Sequence, residues 1–296
     1  MDDRSGRIRH RQLSLNGLRV HVAEAGEEMG DGPVVVLLHG FPDCWLSWLA
    51  QMPVFAQQGY TVVAPDLRGY NETERPNGVA AYRLELLGRD VEALARHYGG
   101  SIHLVGHDWG GVLAWHVAMH HPQVVSSLAV LNAPHPAAYR RALRRGWAQR
   151  LRSWYVLAFQ LPWMPEQLWR WRRHALFRRV LRSGAAAPTV DMPDPSALEA
   201  QYLHAFSTRG AWTAAINYYR ALLRFPPPRD VVIDAPTMLL WGERDPYLGV
   251  ELTTGFERWV PDLTVERLPE AAHWLQHTHA PQVNEVLLRF WARLTH

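Results

Sequence analysis

Leu104-Val-Gly-His-Asp108-Trp-Gly-Gly111 is the stretch that decides how the rest of the chain folds. An apolar run, Ser101 to Val105, leads into Gly106-His-Asp-Trp-Gly110, and a helical pattern from Gly111 to His121 follows. The reading is strand, sharp turn, helix. A turn this tight brings backbone against backbone and forces strained dihedrals, which residues without Cβ relieve most cheaply, so Gly106 and Gly110 flank the tip. The middle residue, Asp108, then points outward. A lone aspartate here is most simply a cap on the following helix. Its weight comes from the rest of the chain.

Working outward, Ile8 to Leu15 and Leu18 to Ala25 are strand-like segments around Asn16-Gly17, the pair a two-residue hairpin turn prefers. Val34 to Leu38 is apolar at every position, as expected of a parallel strand covered on both faces. Helix Trp45 to Gln58, strand Tyr60 to Ala64, helix Tyr82 to Tyr98, strand Ser101 to Val105, helix Gly111 to His121 and strand Val125 to Leu131 follow. Strand Thr237 to Trp241, helix Val250 to Trp259, strand Leu263 to Leu268 and helix Pro281 to Leu294 end the pattern. Such alternation predicts an α/β protein with a mostly parallel sheet flanked by helices. It breaks at Asn132-Ala-Pro-His-Pro136, after which only helical segments are read, separated by prolines and by a Gly184 to Pro195 loop. The expected organisation is therefore core over residues 1–133, an inserted helical cap over 134–230, and core again over 231–296.

Composition bounds the function. A hydrophobic content of 48% with 20% charged residues is that of a globular chain, and no apolar run reaches membrane-spanning length. The N-terminus lacks the apolar core of a secretory signal, and the single cysteine, Cys44, excludes an internal disulfide framework; a reducing cytosol is the expectation. Neither metal-binding histidine spacing nor a glycine-rich phosphate loop is found, so no metal and no cofactor are expected.

Two further residues complete a chemical pattern with Asp108. Asp245 lies just beyond a late strand in Gly242-Glu-Arg-Asp-Pro246, and His273 lies past the last strand in Ala271-Ala-His-Trp274. The order nucleophile, acid, histidine is that of the α/β-hydrolase triad, whose elbow carries serine as G-x-S-x-G; here a carboxylate holds that place. A carboxylate can attack an sp³ carbon and leave an ester, and a neutral histidine can then activate water to attack the ester carbonyl. Asp245 would orient the histidine. The tetrahedral oxyanion needs two donors, which the backbone N–H groups of Trp109 and Phe41 are placed to supply.

Over nearly its full length the sequence resembles the α/β-hydrolase-fold epoxide hydrolases. His39-Gly-Phe-Pro42 looks like that family's H-G-x-P motif, and Gly106-His-Asp-Trp-Gly110 like its nucleophile motif. Ser153-Trp-Tyr-Val-Leu-Ala-Phe-Gln-Leu-Pro162 and Asn217-Tyr-Tyr-Arg220 resemble the segments carrying two catalytic tyrosines, which places these at Tyr155 and Tyr219, with Tyr218 the neighbouring competitor. One departure is Asn71, where the family often has glycine. The resemblance implies an α/β-hydrolase fold, an epoxide substrate with water as co-reactant, and substrate contacts at His39, Pro42, Trp109 and Trp274. Unaided by resemblance, the tyrosines suit the chemistry, because an epoxide oxygen turning into an alkoxide needs donors that stay neutral when idle.

The nearest rival is a haloalkane or haloacetate dehalogenase using the same aspartate ester, which would want halide donors that Phe41 does not offer. A non-catalytic binding protein has no use for Asp108, Asp245 and His273 together. Twelve arginines between Arg140 and Arg182 accompany Glu166 as the only acid, interleaved with Trp147, Trp154, Trp163, Trp169 and Trp171. The expectation is a solvated arginine face whose tryptophans pack on the core. Contact with an anionic membrane is the lesser alternative, and nucleic acid is not expected because no binding motif accompanies the charge.

Overall fold

The computed structural model describes residues 7–26, 32–182 and 195–294. Its eight strands are β1 (Arg9–Leu15), β2 (Leu18–Ala25), β3 (Val34–Leu38), β4 (Thr61–Pro65), β5 (Ile102–His107), β6 (Val125–Leu131), β7 (Thr237–Gly242) and β8 (Leu263–Leu268). They form one sheet in the order β1-β2-β4-β3-β5-β6-β7-β8. β1 and β2 pair antiparallel around Asn16 and Gly17, both at positive φ, and β2 pairs antiparallel with β4; every other pair is parallel.

Side chains alternate across a strand, so a sheet covered on both faces needs apolar residues at every position. Val35, Leu37, Val105, Leu131 and Leu240 belong to one buried layer, with Phe55, Leu287 and Trp291 from the helices beneath. Their neighbours Val36, Leu38, Leu104, Val130 and Leu239 belong to the other, with Val91 and Leu113. The flanking helices are α1 (Met52–Gln57), α2 (Leu84–His97), α3 (Trp109–His120) and, near the C-terminus, α10 (Leu275–Thr278) and α11 (Ala280–Ala292). Between β6 and β7 the described residues hold α4 (Pro136–Arg145), α5 (Trp147–Arg152), α6 (Trp154–Ala158), α7 (Met164–Val180), α8 (Pro195–Ser207) and α9 (Ala211–Arg224), and no strand. Nearly all of the loop expected between Gly184 and Pro195 lies outside the described residues.

Several expectations are corrected. The helix expected over Trp45 to Gln58 is a 3-10 turn, Trp45–Trp48, followed by the short α1, in whose first turn Pro53 sits where a missing N–H does no harm. The helix expected over Val250 to Trp259 is two 3-10 turns, Val250–Thr253 and Glu257–Trp259. Gly255, at φ 80°, breaks the run between them. The helix expected over Pro281 to Leu294 is present as α11, and the short α10 precedes it. Of the five tryptophans expected to pack on the core, only Trp169 does so; Trp147, Trp154, Trp163 and Trp171 are exposed.

Candidate active site

The path from β5 into α3 fixes Asp108. It adopts φ 50° and ψ −118°, a conformation that costs a non-glycine residue about 1–3 kcal/mol and holds its carboxylate at the tip of the turn. The flanking glycines are required by contact: a Cβ on Gly106 would lie 2.3 Å from the Gly110 carbonyl oxygen, and one on Gly110 would lie 2.1 Å from that of Leu38. The turn therefore exists only because three backbone segments touch.

Around the carboxylate, the Phe41 N–H donates to Asp108 Oδ1 at 2.7 Å, and His273 Nε2 lies 3.5 Å from Asp108 Oδ2. The other nitrogen of His273, Nδ1, donates to Asp245 Oδ2 at 2.7 Å. Asp245 is buried in the loop after β7 and accepts the N–H groups of Tyr247 at 2.7 Å and Leu248 at 3.0 Å on Oδ1. Trp109 opens α3, so its N–H has no partner within the helix. Burial works against a charged imidazole, yet the carboxylates of Asp245 and Asp108 outweigh it and push the His273 pKa up to about 10. Asp245 is the converse: burial would raise its pKa, but the charge and hydrogen bond of His273, with the Asn132 amide, hold it below the usual carboxylate range. Both carboxylates thus favour the imidazolium form of His273 over the neutral ring.

Two supporting residues escaped the sequence reading. Asn132, at φ 42° just beyond β6, donates from Nδ2 to Asp245 Oδ2 at 2.6 Å and accepts the Gly242 N–H at 2.7 Å. Asparagine tolerates the left-handed region, which was a legible signal at the point where the strand pattern stopped. His107, whose ring burial holds at a pKa of about 4, donates from Nε2 to the His273 carbonyl at 2.9 Å. Nothing in its sequence context marked it.

A cavity of about 650 Å³ opens above Asp108, and its wall includes Trp109, Tyr139, Tyr155, Tyr219 and Leu248. Burial, and next the Asp108 charge, push the phenol pKa values of Tyr155 and Tyr219 well above 10, so both are neutral donors. Their rings lie 5.9 Å apart. Tyr218 points elsewhere, donating to the Arg68 carbonyl at 2.8 Å. Arg220, next to Tyr219, forms a buried ion pair with Glu166 at 2.6 Å and donates to the carbonyls of Phe159 and Leu161, which ties α9 to the end of α6.

The expected substrate contacts fare unevenly. Trp109 lines the cavity, whereas His39, Pro42 and Trp274 do not. Buried His39 has both ring nitrogens engaged, Nδ1 on the Gly40 carbonyl and Nε2 on the Leu67 N–H, and so fastens two loops together. Trp274 packs edge-on against His273 with ring centroids 4.9 Å apart. Asn71 sits at φ 40°, where glycine is otherwise favoured, and holds that place by donating to Asp66. Among the described residues, no group of His, Cys, Asp or Glu side chains is arranged to hold a metal ion.

The chain is similar to known proteins over most of its length. Residues 33–280 match the family described as the alpha/beta hydrolase fold. The chain is 37% identical over 291 residues to epoxide hydrolase 4 of Homo sapiens, spanning 94% of this chain and 77% of that protein. It is 35% identical to the AB hydrolase superfamily protein YfhM of Bacillus subtilis (strain 168), spanning 94% and 96% of the two chains. Among solved structures, an epoxide hydrolase of Bacillus megaterium in complex with an inhibitor superposes with a TM-score of 0.85 at 29% identity, covering 95% of this chain and all of that one. With the Asp108 elbow, the sheet order and these relatives in agreement, the chain belongs to the α/β-hydrolase-fold epoxide hydrolase family.

Proposed function

We propose that this protein opens epoxides to vicinal diols through an ester on Asp108, which water activated by His273 then hydrolyses. The observation that carries the reading is that one cavity is lined by Asp108, Tyr155 and Tyr219 together. In this reading residues 134–230 are a cap that brings the two phenols to a nucleophile supplied by the core, residues 1–133 and 231–296.

The protons balance through both half-reactions. As the Asp108 carboxylate attacks the epoxide carbon, the C–O bond breaks and the oxygen takes a proton from a tyrosine hydroxyl. Loss of the Asp108 charge removes one of the groups that held His273 protonated, and its proton goes to the tyrosinate, whose pKa burial keeps high. His273 is now neutral and takes a proton from water as the oxygen attacks the ester carbonyl. The oxyanion forms where the Phe41 N–H already touches Asp108 Oδ1 and beside the Trp109 N–H. Collapse releases the diol, with the carboxyl proton going to the departing oxygen, and restores the Asp108–His273 ion pair.

The test is to separate the half-reactions. His273→Gln should still be alkylated by an epoxide and then stop, so intact-mass measurement should find about one adduct per active site. Asp108→Ala should form none. An unmodified His273→Gln protein after exposure to an epoxide that wild type turns over would refute the division of roles. Halide release by a wild type that leaves every epoxide untouched would refute the substrate class.

A further inference from the structure

Among the described residues, fifteen large apolar side chains are exposed, and nine of them fall between Trp147 and Trp171. They recur at helical spacing. Trp147, Leu151, Trp154 and Leu157 follow one another by three or four residues along α5 and α6, and Met164, Leu168 and Trp171 do so along α7. Trp147 is 75% exposed and Trp163 71%, whereas Trp169, one residue off the α7 stripe, is 7% exposed. A soluble protein rarely leaves so many large apolar side chains in water over so short a stretch unless something covers them.

The unpaired charge on and beside this face is positive. Arg150, Arg170 and Arg172 on it, and Arg144 and Arg145 at the end of α4 beside it, are exposed, and among the described residues none of them pairs with a carboxylate, whereas Arg152 of α5 pairs with exposed Glu251. The one acid in the stretch, Glu166, is turned inward onto Arg220. Arg150 and Arg172 lie over the rings of Trp147 and Trp171 at 5.0 and 4.4 Å. Tryptophan and leucine beside arginine is the composition of a segment that lies in a membrane interface, with indoles at the headgroups and guanidinium groups on lipid phosphates. No described helix is long and apolar enough to cross a membrane, so such a contact is one of lying on the surface.

Two observations select a lipid surface over other occupants. A second copy of the same face would set like charges against each other. The aliphatic members, Leu151, Leu157, Leu161, Met164 and Leu168, would gain nothing from stacking on bases, which weighs against a nucleic acid. The cavity above Asp108 also reaches this surface, because exposed Leu157 and Arg150 belong to its wall.

We propose that the exposed face of α5, α6 and the first half of α7 docks on an anionic lipid surface and turns the cavity mouth toward the lipid. The docking stands on surface chemistry alone. Delivery of lipophilic epoxide from the bilayer rests on the proposed hydrolase reading.

The experiment uses the full chain with vesicles of phosphatidylcholine, with and without phosphatidylglycerol. Wild type should sediment with the anionic vesicles and shift its tryptophan emission to the blue, should stay in solution with the neutral ones, and should be released by high salt. Each arginine near an anionic surface contributes about fivefold to partitioning, so Arg144→Glu/Arg145→Glu/Arg170→Glu should lower it by at least about 100-fold. Trp147→Ser/Trp163→Ser/Trp171→Ser, which leaves only Trp154 of the exposed indoles, should strongly reduce the blue shift while hydrolysis of a water-soluble epoxide is unchanged. Equal sedimentation with both vesicle types, or with neither, overturns the docking. So does an oligomer broken by the tryptophan variant, or binding to an oligonucleotide without binding to vesicles. If vesicles bind but no epoxide is hydrolysed in solution, the hydrolase reading fails and the docking survives.

Discussion

Asp245 and Tyr155 are held in place by different kinds of contact. Asp245 takes four hydrogen bonds, from the N–H groups of Tyr247 and Leu248, the Asn132 amide and His273, on a loop that follows a buried strand. Tyr155 sits on α6, a helix of five residues of which none is fully buried, and it is steadied by the rings of Phe159, Tyr219 and Tyr247. Hydrogen bonds fix an angle; ring contacts at about 6 Å fix only a neighbourhood. The core half of the site is thus set by backbone geometry, and the inserted half by how the helices pack on it. Breaking each kind of contact should have different consequences.

The largest effect is expected at the clamp that holds α9 to α7 and to the end of α6. Arg220→Met leaves the Glu166 carboxylate buried without its partner and takes donors from the Phe159 and Leu161 carbonyls. Removing one member of a buried ion pair commonly costs about 3–5 kcal/mol. Denaturant unfolding should show that loss, and hydrogen exchange should place it in α6 and α9 while β5 and β6 keep their protection. A loss below about 1 kcal/mol would mean that ring packing alone secures the tyrosines.

Next come the tyrosines themselves. Losing one preorganised donor to a developing oxyanion typically costs about 2.7–4 kcal/mol, although two donors on one oxygen partly cover for each other. Tyr155→Phe and Tyr219→Phe should each slow alkylation by roughly 10- to 100-fold, and the double variant by at least about 100-fold. Hydrolysis of a preformed ester should hardly change, since the proposed mechanism assigns that step to Phe41, Trp109 and His273. Single-turnover measurement of the two steps checks this, and a double variant as fast as wild type would remove both tyrosines from the chemistry.

The core half has its own signature in pH. His273 is raised in the folded protein from 6.5 to about 10, so the stability it contributes is fully present below 6.5 and is lost as pH rises through about 10. Thermal midpoints of wild type should therefore fall more steeply than those of His273→Gln between neutral and strongly alkaline pH. Parallel curves would show that the ion pair with Asp108 and Asp245 is not formed.

What could be read in the sequence follows the same division. Leu18–Ala25, Val34–Leu38, Val125–Leu131 and Leu263–Leu268 are strands with the expected bounds; for Val34–Leu38 the reason is a sheet buried on both faces, which writes itself as a continuous apolar run, whereas Leu263–Leu268 is a partly exposed edge strand of mixed character. Phe41 and Asp108, expected to act together, meet at 2.7 Å because strand ends leave little freedom to the turns that follow. The order of the strands was not legible, since parallel crossovers carry no mark of which neighbour they reach. Nor was the burial of the tryptophans: α5 to α7 carry apolar residues on more than one face, and only tertiary packing decides that Trp169 turns inward while Trp171 turns out. His39 misled for a similar reason. The motif resemblance made it a substrate contact, but both of its ring nitrogens are on backbone groups.

The smallest expected effect is the sharpest discriminator between adjacent residues. Tyr218 and Tyr219 are neighbours on α9, equally buried and both neutral, and only their hydroxyls distinguish them. That of Tyr218 donates to the Arg68 carbonyl, within a cluster that includes Tyr70, Tyr82 and Trp109, and it lies off the cavity wall. Tyr218→Phe keeps the ring and removes one neutral hydrogen bond, which should destabilise the fold by about 0.5–1.5 kcal/mol. Alkylation should be unaffected, because no donor to the reacting oxygen is lost. Tyr219→Phe should show the reverse, slowing alkylation with little change in stability. If Tyr218→Phe slowed alkylation as much as Tyr219→Phe, the phenols would act through their packing on Trp109, beside the nucleophile, and donation from the insertion would have to be assigned to Tyr155 alone.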